Sequence, residues 1–326
     1  MLKANKEEKM KELVVIALGG NAILQANQKG TDQEQFANVD VTCRQLVQMN
    51  KLGYKLVVTH GNGPQAGNLL IQEEEGKKYV PAQPLNIVGA MTQGQIGYMF
   101  QNRLQNDFYE KDKHIPTIAV ITQILVNGDD PDFQNPTKPV GPFYTKEVAA
   151  KLRKEKGYIV KEVKPGVEKS WRRVVPSPEP IKIIEKEAIL SLIKEHAIIV
   201  ACGGGGIPVV KNKKGFFKGV EAVIDKDKCG NVLANTVNAE VFLILTDVEN
   251  AMINFGKENQ KAIGKVTVSQ MEELVKEGHF LAGSMGPKVE AALRFVKSGG
   301  KKSIITSLAK AIEALEGKTG TIITAN

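Results

Sequence analysis

The stretch LVVIALGGNA at 13–22 decides the class of fold. Six apolar residues in a row, with β-branched side chains at Val14, Val15 and Ile16, read as a strand buried on both faces. Gly19, Gly20 and Asn21 follow directly, and glycines there let backbone N–H groups come close to an anion. The same grammar recurs twice. KLVVTH (55–60) runs into Gly61-Asn62-Gly63-Pro64, and AIIVAC (197–202) runs into Gly203-Gly204-Gly205-Gly206. A helix opening after such a turn adds its positive end to the same place. Three glycine turns at strand ends imply a site for several phosphate or carboxylate groups, and hence phosphoryl transfer.

Working outward, strand-like runs at 13–18, 55–60, 117–122, 197–202, 241–246 and 301–306 alternate with helix-like stretches at 33–52, 85–109, 181–195, 285–298 and 308–315. The stretch 317–324 adds a last hairpin. This rhythm predicts an α/β fold with a mainly parallel sheet covered on both faces. One segment breaks it. From 124 to 180 the chain is rich in turn formers (NGDDPDFQNP, KPVGP, KPG, PSPEP), carries one short helical stretch and holds the single tryptophan, Trp171. It reads as a small insertion within one 1–326 domain, either a lid that closes over substrate or a passive protrusion.

The bulk numbers fit such a fold. At 326 residues, 42% hydrophobic and 25% charged, the chain can bury a full core. No apolar run approaches the ~18–20 residues of a membrane span. The opening MLKANKEEKMKEL is charged throughout, unlike a secretory leader, so a cytoplasmic protein that does not engage membranes is expected. Cys43, Cys202 and Cys229 are scattered, as are the four histidines, which argues against disulfides and a His/Cys metal site. A formal charge of +8 is interleaved with acids, and aromatics make up only 6%, so nucleic acid is not an expected partner.

Two rival motifs fail on inspection. Gly61-x-Gly63-x-x-Ala66 formally matches a dinucleotide fingerprint, but Pro64 follows the second glycine. No second strand ending in an acid appears about 20 residues on. A Walker A loop is absent, since Gly300-Lys301 and Gly317-Lys318 lack the earlier glycine.

Three later motifs turn the glycine turns into a site. GVEAVIDKD (219–227) places Lys226 at the entrance to a short helix. LTDV (245–248) sets Asp247 at the end of a buried strand, and FLAGSMGPKV (280–289) puts Lys288 in the first turn of a helix. A cation there opposes the helix dipole unless an anion binds. The bland alternatives are a capping role for Asp247, solvated lysines, and a tight hairpin entry at 203–206.

Taken together, ALGGNA, THGNGPQAGN, NPTKPVGPFY, WRRVVPSP, ACGGGGIPV, VEAVIDKD, LTDV and AGSMGPKVEAA make the sequence resemble the carbamate kinases of the amino acid kinase family. The resemblance implies a three-layer α/β/α sandwich with a mainly parallel central sheet and a protruding subdomain, usually in a homodimer. It implies reversible transfer between ATP and carbamate, giving ADP and carbamoyl phosphate and often running toward ATP at the end of arginine breakdown. Mg²⁺ would be held by the nucleotide phosphates.

By motif, Gly19, Gly20 and Asn21 would cradle the transferring phosphoryl group, and Gly61, Asn62 and Gly63 the carbamate side. Lys226 and Lys288 would bridge phosphate oxygens with Asp227 holding them, and Lys138 would reach carbamate or carbamoyl phosphate. Thr246, Asp247, Met285 and Pro287 would line the nucleotide site. Met252 stands near the adenine where many relatives carry an aromatic, which implies altered nucleotide affinity. An acetylglutamate-type kinase would need a guanidinium, from Arg172 or Arg173, for a second carboxylate. A non-catalytic nucleotide or carbamoyl-phosphate sensor is the remaining alternative.

Overall fold

A computed structural model describes residues 11–110, 114–280 and 284–326. The strands of the first half are β1 (Leu13–Leu18), β2 (Lys55–His60), β3 (Thr117–Ala119), β4 (Gln123–Val126), β5 (Lys138–Tyr144), β6 (Val160–Glu162), β7 (Trp171–Val175) and β8 (Pro180–Ile183). They continue with β9 (Ile198–Val200), β10 (Ile207–Lys211), β11 (Phe217–Gly219), β12 (Val241–Thr246), β13 (Met252–Ile253), β14 (Lys261–Ala262), β15 (Lys265–Thr267), β16 (Lys302–Ser307) and β17 (Thr321–Thr324). The α-helices are α1 (Asp32–Lys51), α2 (Gly63–Gly76), α3 (Leu85–Tyr109), α4 (Lys146–Lys156), α5 (Lys186–Lys194), α6 (Lys226–Thr236), α7 (Val268–Lys276), α8 (Met285–Lys297) and α9 (Ala311–Leu315).

The main sheet has the order β15-β17-β16-β12-β1-β2-β9-β3. From β16 through to β3 every neighbouring pair is parallel. β1 explains why. Its side chains alternate between faces, as a period of two demands. Val15 and Ala17 join the core beneath α5, α6, α7 and α8, while Val14, Ile16 and Leu18 join the core beneath α1, α3 and α9. Both faces are covered, so an uninterrupted apolar run is what the strand needs. The result is a three-layer α/β/α sandwich.

A second sheet, β11-β10-β4-β8, continues beyond the C-terminal end of β3. Between β4 and β8 the chain leaves to build a third sheet, β5-β7-β6, with α4 beside it.

Several expected elements shift. The strand expected at 117–122 ends at Ala119, and the chain passes to the second sheet as β4. The helix expected from 181 begins at Lys186, because Pro180–Ile183 pairs antiparallel with β4, with Ile183 buried and the register shifting at Ile181, which is left exposed. The terminal stretch is not a hairpin: β17 pairs antiparallel with β16 from across α9. Helices α2 and α7 were not expected. In α2, glycines at 63, 67 and 76 and Pro64 mask the signal.

Candidate active site

The parallel strands β1, β2, β9 and β12 deliver their glycine turns and Asp247 to one end of the sheet, the end where ligands of open α/β sheets bind. Here a cavity of about 670 Å³ opens between the sandwich and the third sheet. Gly20, Gly61, Asn62, Gly63, Lys138, Lys226, Asp227, Pro287 and Lys288 all line it.

Its charged centre is a clasp. Asp227, buried in the first turn of α6, accepts from Lys226 Nζ at 2.6 Å on Oδ1 and from Lys288 Nζ at 3.5 Å on Oδ2. Lys288 also donates to the carbonyl of Ser284, at the start of its own helix α8, at 3.3 Å. One carboxylate thus draws two ammonium groups from different helices into the same place.

Helix ends add to the field. α2 and α8 begin at the cavity without any side-chain cap, and the first-turn N–H groups of a helix have no acceptor within it. α6 begins there too, but the carboxylate of Asp225 accepts from the N–H of Asp227 and of Lys228. Two helix ends without a side-chain cap and several lysines around one space favour a polyanion.

Two of the expected cradle glycines act differently. Gly19 and Gly61 give their N–H groups to the carbonyls of Leu245 and Leu18, continuing the sheet. Their value is space: a Cβ on Gly61 would lie 3.4 Å from Lys226 Cδ and 3.6 Å from Gly20 N. The 203–206 turn is also not an open cradle. It is buried, and Gly205 and Gly206 donate to the carbonyls of Cys202 and Gly203 within the turn. A Cβ on Gly203 would lie 2.4 Å from His60 Nε2, and one on Gly204, at φ +66°, 2.2 Å from Asn62 Nδ2. The missing side chains let β9 close against the end of β2. Asn62 is further fixed by donating to Thr92 Oγ1 at 2.8 Å.

His60 is buried, stacked beside Phe100 and bonded through Nδ1 to the Gly61 carbonyl at 2.9 Å. Burial pulls its pKa down to about 4, against a smaller upward pull from that hydrogen bond. The ring is therefore neutral at pH 7, with Nδ1 donating, and packs between Phe100 and the 203–206 turn rather than acting as a cation.

Other expected residues separate from this centre. Gly19, Asn21, Thr246 and Asp247 line a neighbouring depression with Gln25 and Leu308. Met252 lies half-buried in the β13–β14 pair, and Met285 packs against the core beneath α8, each away from the lining of both spaces. Residues 281–283 of the FLAGSMGPKV stretch lie outside the described residues.

The third sheet reaches the cavity through Lys138, Val140, Gly141 and Arg172. Arg172 donates twice to the Gly141 carbonyl, at 3.1 and 2.7 Å, and lies over the Phe143 ring. Arg173 pairs with Glu221 at 2.6 Å. Both guanidinium groups are engaged within the protein.

Asp225 and Glu221 were missed in the sequence. Lys138 Nζ lies 2.8 Å from Asp225 Oδ2. Burial pushes the Asp225 carboxyl up, but the Lys138 charge and hydrogen bond, the Asp227 N–H and the Lys226 charge outweigh it and hold the pKa at about 2. Glu221 accepts from the first N–H of α3, at Leu85, and from Arg173. An aspartate directly before a helix is a capping signal, so Asp225 was open to discovery. Glu221, fixed by partners far along the chain, was not.

Known proteins resemble this chain over nearly its whole length. The model of the amino acid kinase family matches residues 12–307. Carbamate kinase from Pyrococcus horikoshii is 51% identical over 317 residues, covering 97% of this chain and 100% of the relative. That from Thermococcus kodakarensis is 53% identical over 94% of this chain and 98% of its own. The structure of carbamate kinase from Giardia lamblia bound to AMP-PNP superposes with a TM-score of 0.91 at 44% identity, covering 97% of this chain and 99% of the other. With the clasp, the helix ends and the full-length match in agreement, the chain belongs to the amino acid kinase family, among its carbamate kinases.

Proposed function

We infer that the chain catalyses reversible phosphoryl transfer between ATP and carbamate, giving ADP and carbamoyl phosphate. The observation that carries this is the Asp227 clasp, which brings Lys226 and Lys288 together where the ends of α2, α6 and α8 meet. Carbamate already bears an anionic oxygen, so no general base is required. Catalysis rests on alignment and on offsetting charge around the transferring group. On this reading Lys226 and Lys288 hold its oxygens and Asp227 sets their positions. The N-terminal turn of α2, with Asn62 and Gly63, receives the carbamate side, and Lys138 approaches from the third sheet. Residues 124–180, which carry that sheet, act as a lid over the substrate.

Gly20 and Asn21 take the phosphoryl group, and Thr246 and Asp247 place the nucleotide along the neighbouring depression. Mg²⁺ comes with the nucleotide. Asp225 and Asp227 are already taken by lysines, and among the described residues no group of three or more His, Cys, Asp or Glu side chains could hold an ion. On the polyphosphate it would offset charge.

The match to carbamate kinases over nearly the whole chain weighs against an acetylglutamate-type kinase, and Arg173, paired with Glu221, stands outside the cavity lining. Flux toward ATP in arginine breakdown and a homodimer are what the resemblance implies. No helix among the described residues is long and apolar enough to cross a membrane.

The test is ATP formation from ADP, Mg²⁺ and carbamoyl phosphate, read through hexokinase coupling. Turnover is expected. Folded protein that binds ADP without turnover would overturn the reading in favour of a sensor.

A further inference from the structure

We propose that Asp225 is a positioning residue that holds Lys138, and with it the third sheet, in working register over the cavity. The proposal rests on the carbamate kinase reading for its substrate but on the bonds that Asp225 makes for its cause.

The two oxygens of Asp225 have separate tasks. Oδ1 accepts from the N–H groups of Asp227, at 2.9 Å, and Lys228, at 3.4 Å, and so fixes the first turn of α6, which carries the clasp. Oδ2 accepts from Lys138 Nζ at 2.8 Å, from a residue 87 positions away in sequence. A single side chain therefore ties the helix that bears Lys226 and Asp227 to the strand that bears Lys138.

A lysine side chain loses much rotational freedom when fixed. Anchoring Lys138 before substrate arrives removes that loss from the binding step. An ammonium group has three donors, so one bond to Asp225 leaves others for an incoming anion. Asp225 is only part of the attachment of the third sheet. Arg173 pairs with Glu221, and Lys156 at the end of α4 pairs with Glu74 of α2. Of these three ties, the Lys138 tie is the one made by residues lining the cavity at both ends.

The helix cap and the tie can be separated chemically. Serine and asparagine cap helices about as well as aspartate. Asp225→Ser keeps an acceptor for α6 and offers no anion to Lys138, while Asp225→Asn would turn an N–H toward the ammonium. For both variants, thermal unfolding close to that of the parent and an unchanged KM for ADP are expected. The KM for carbamoyl phosphate should rise about tenfold while kcat changes less than threefold. Lys138→Met, which removes the substrate contact itself, should raise that KM at least as much, and adding Asp225→Ser to it should change it less than twofold further.

A second readout needs no turnover. Limited trypsin digestion, mapped by mass spectrometry, should cut within 145–170 at least threefold faster in Asp225→Ser and in Lys138→Met. A parent protein without carbamate kinase activity would overturn the functional reading, and the digestion would still decide the tie. Digestion rates equal to the parent in both variants would overturn the proposal. So would an unchanged KM for carbamoyl phosphate in an active enzyme, or effects that multiply in the double variant. If Asp225→Ser fails to fold, Lys138→Met decides by the same digestion.

Discussion

Lys226 and Lys288 owe their positions to one buried carboxylate. Two ammonium groups that close repel each other unless an anion lies between them, and Asp227 supplies it until the phosphates arrive. Their charge counts most when the transferring group is between its two oxygens, so Lys226→Ala and Lys288→Ala should each lower kcat at least about 100-fold with little change in the KM for ADP. Initial-rate kinetics at saturating substrates will show the split, and a loss confined to ADP affinity would contradict it.

His60 makes a prediction of a different kind. The folded ring protonates only near pH 4, whereas an unfolded one does so near 6.5. Below 6.5 the unfolded chain takes up a proton that the folded chain refuses. Stability from this group is therefore fully present above 6.5 and declines as pH falls toward 4, by about 3 kcal/mol in all. Urea unfolding at pH 7 and pH 4.5 should show the decline, and His60→Phe should remove this group's share of it.

Among elements, the glycine turns show how far a sequence can be read. The strands that feed them were plain in LVVIAL and KLVVTH, because burial on two faces needs long apolar runs. That Lys226 and Lys288 would meet on Asp227 followed from the family resemblance, and the local pattern showed only that Lys288, in a first helical turn, is out of place without an anion. What each glycine does was not legible. Gly61 and the 203–206 turn make room for neighbours that come from distant parts of the chain, and no local pattern records those neighbours. Helix α2 escaped notice because its glycines depress the local signal, and β8 because a proline and a four-residue strand look like the start of the helix that follows.

Gly204→Ala tests the packing role. A left-handed backbone costs a residue with a Cβ about 1 kcal/mol, and this Cβ would push Asn62 off its bond to Thr92. A lower Tm and a raised KM for carbamoyl phosphate are expected together. A change in Tm alone would detach Asn62 from the substrate site.

At the scale of the whole molecule, one edge of the main sheet lies at β3, with α3 packed beside it. Ile87, Met91 and Tyr98 form an exposed stripe along α3, and Tyr98 is 60% exposed. An apolar stripe next to a sheet edge is a surface that a second copy of the chain would cover. If the proposed homodimer forms through this face, Tyr98→Asp combined with Met91→Lys should shift light scattering from dimer toward monomer. An unchanged dimer would place the contact elsewhere.

The central position of β1 has a consequence for how the protein comes to exist. One neighbour, β2, follows it by some 40 residues, but the other, β12, is drawn from 241–246. At roughly 5–20 residues per second, a ribosome needs on the order of 10–50 s to travel from one to the other. For that interval the first strand made has one apolar edge with no partner, the kind of edge on which chains aggregate. Synthesis of this kinase therefore has a long exposed phase that closes only when its last third emerges. Until then that edge is where the growing chain would pair with another copy.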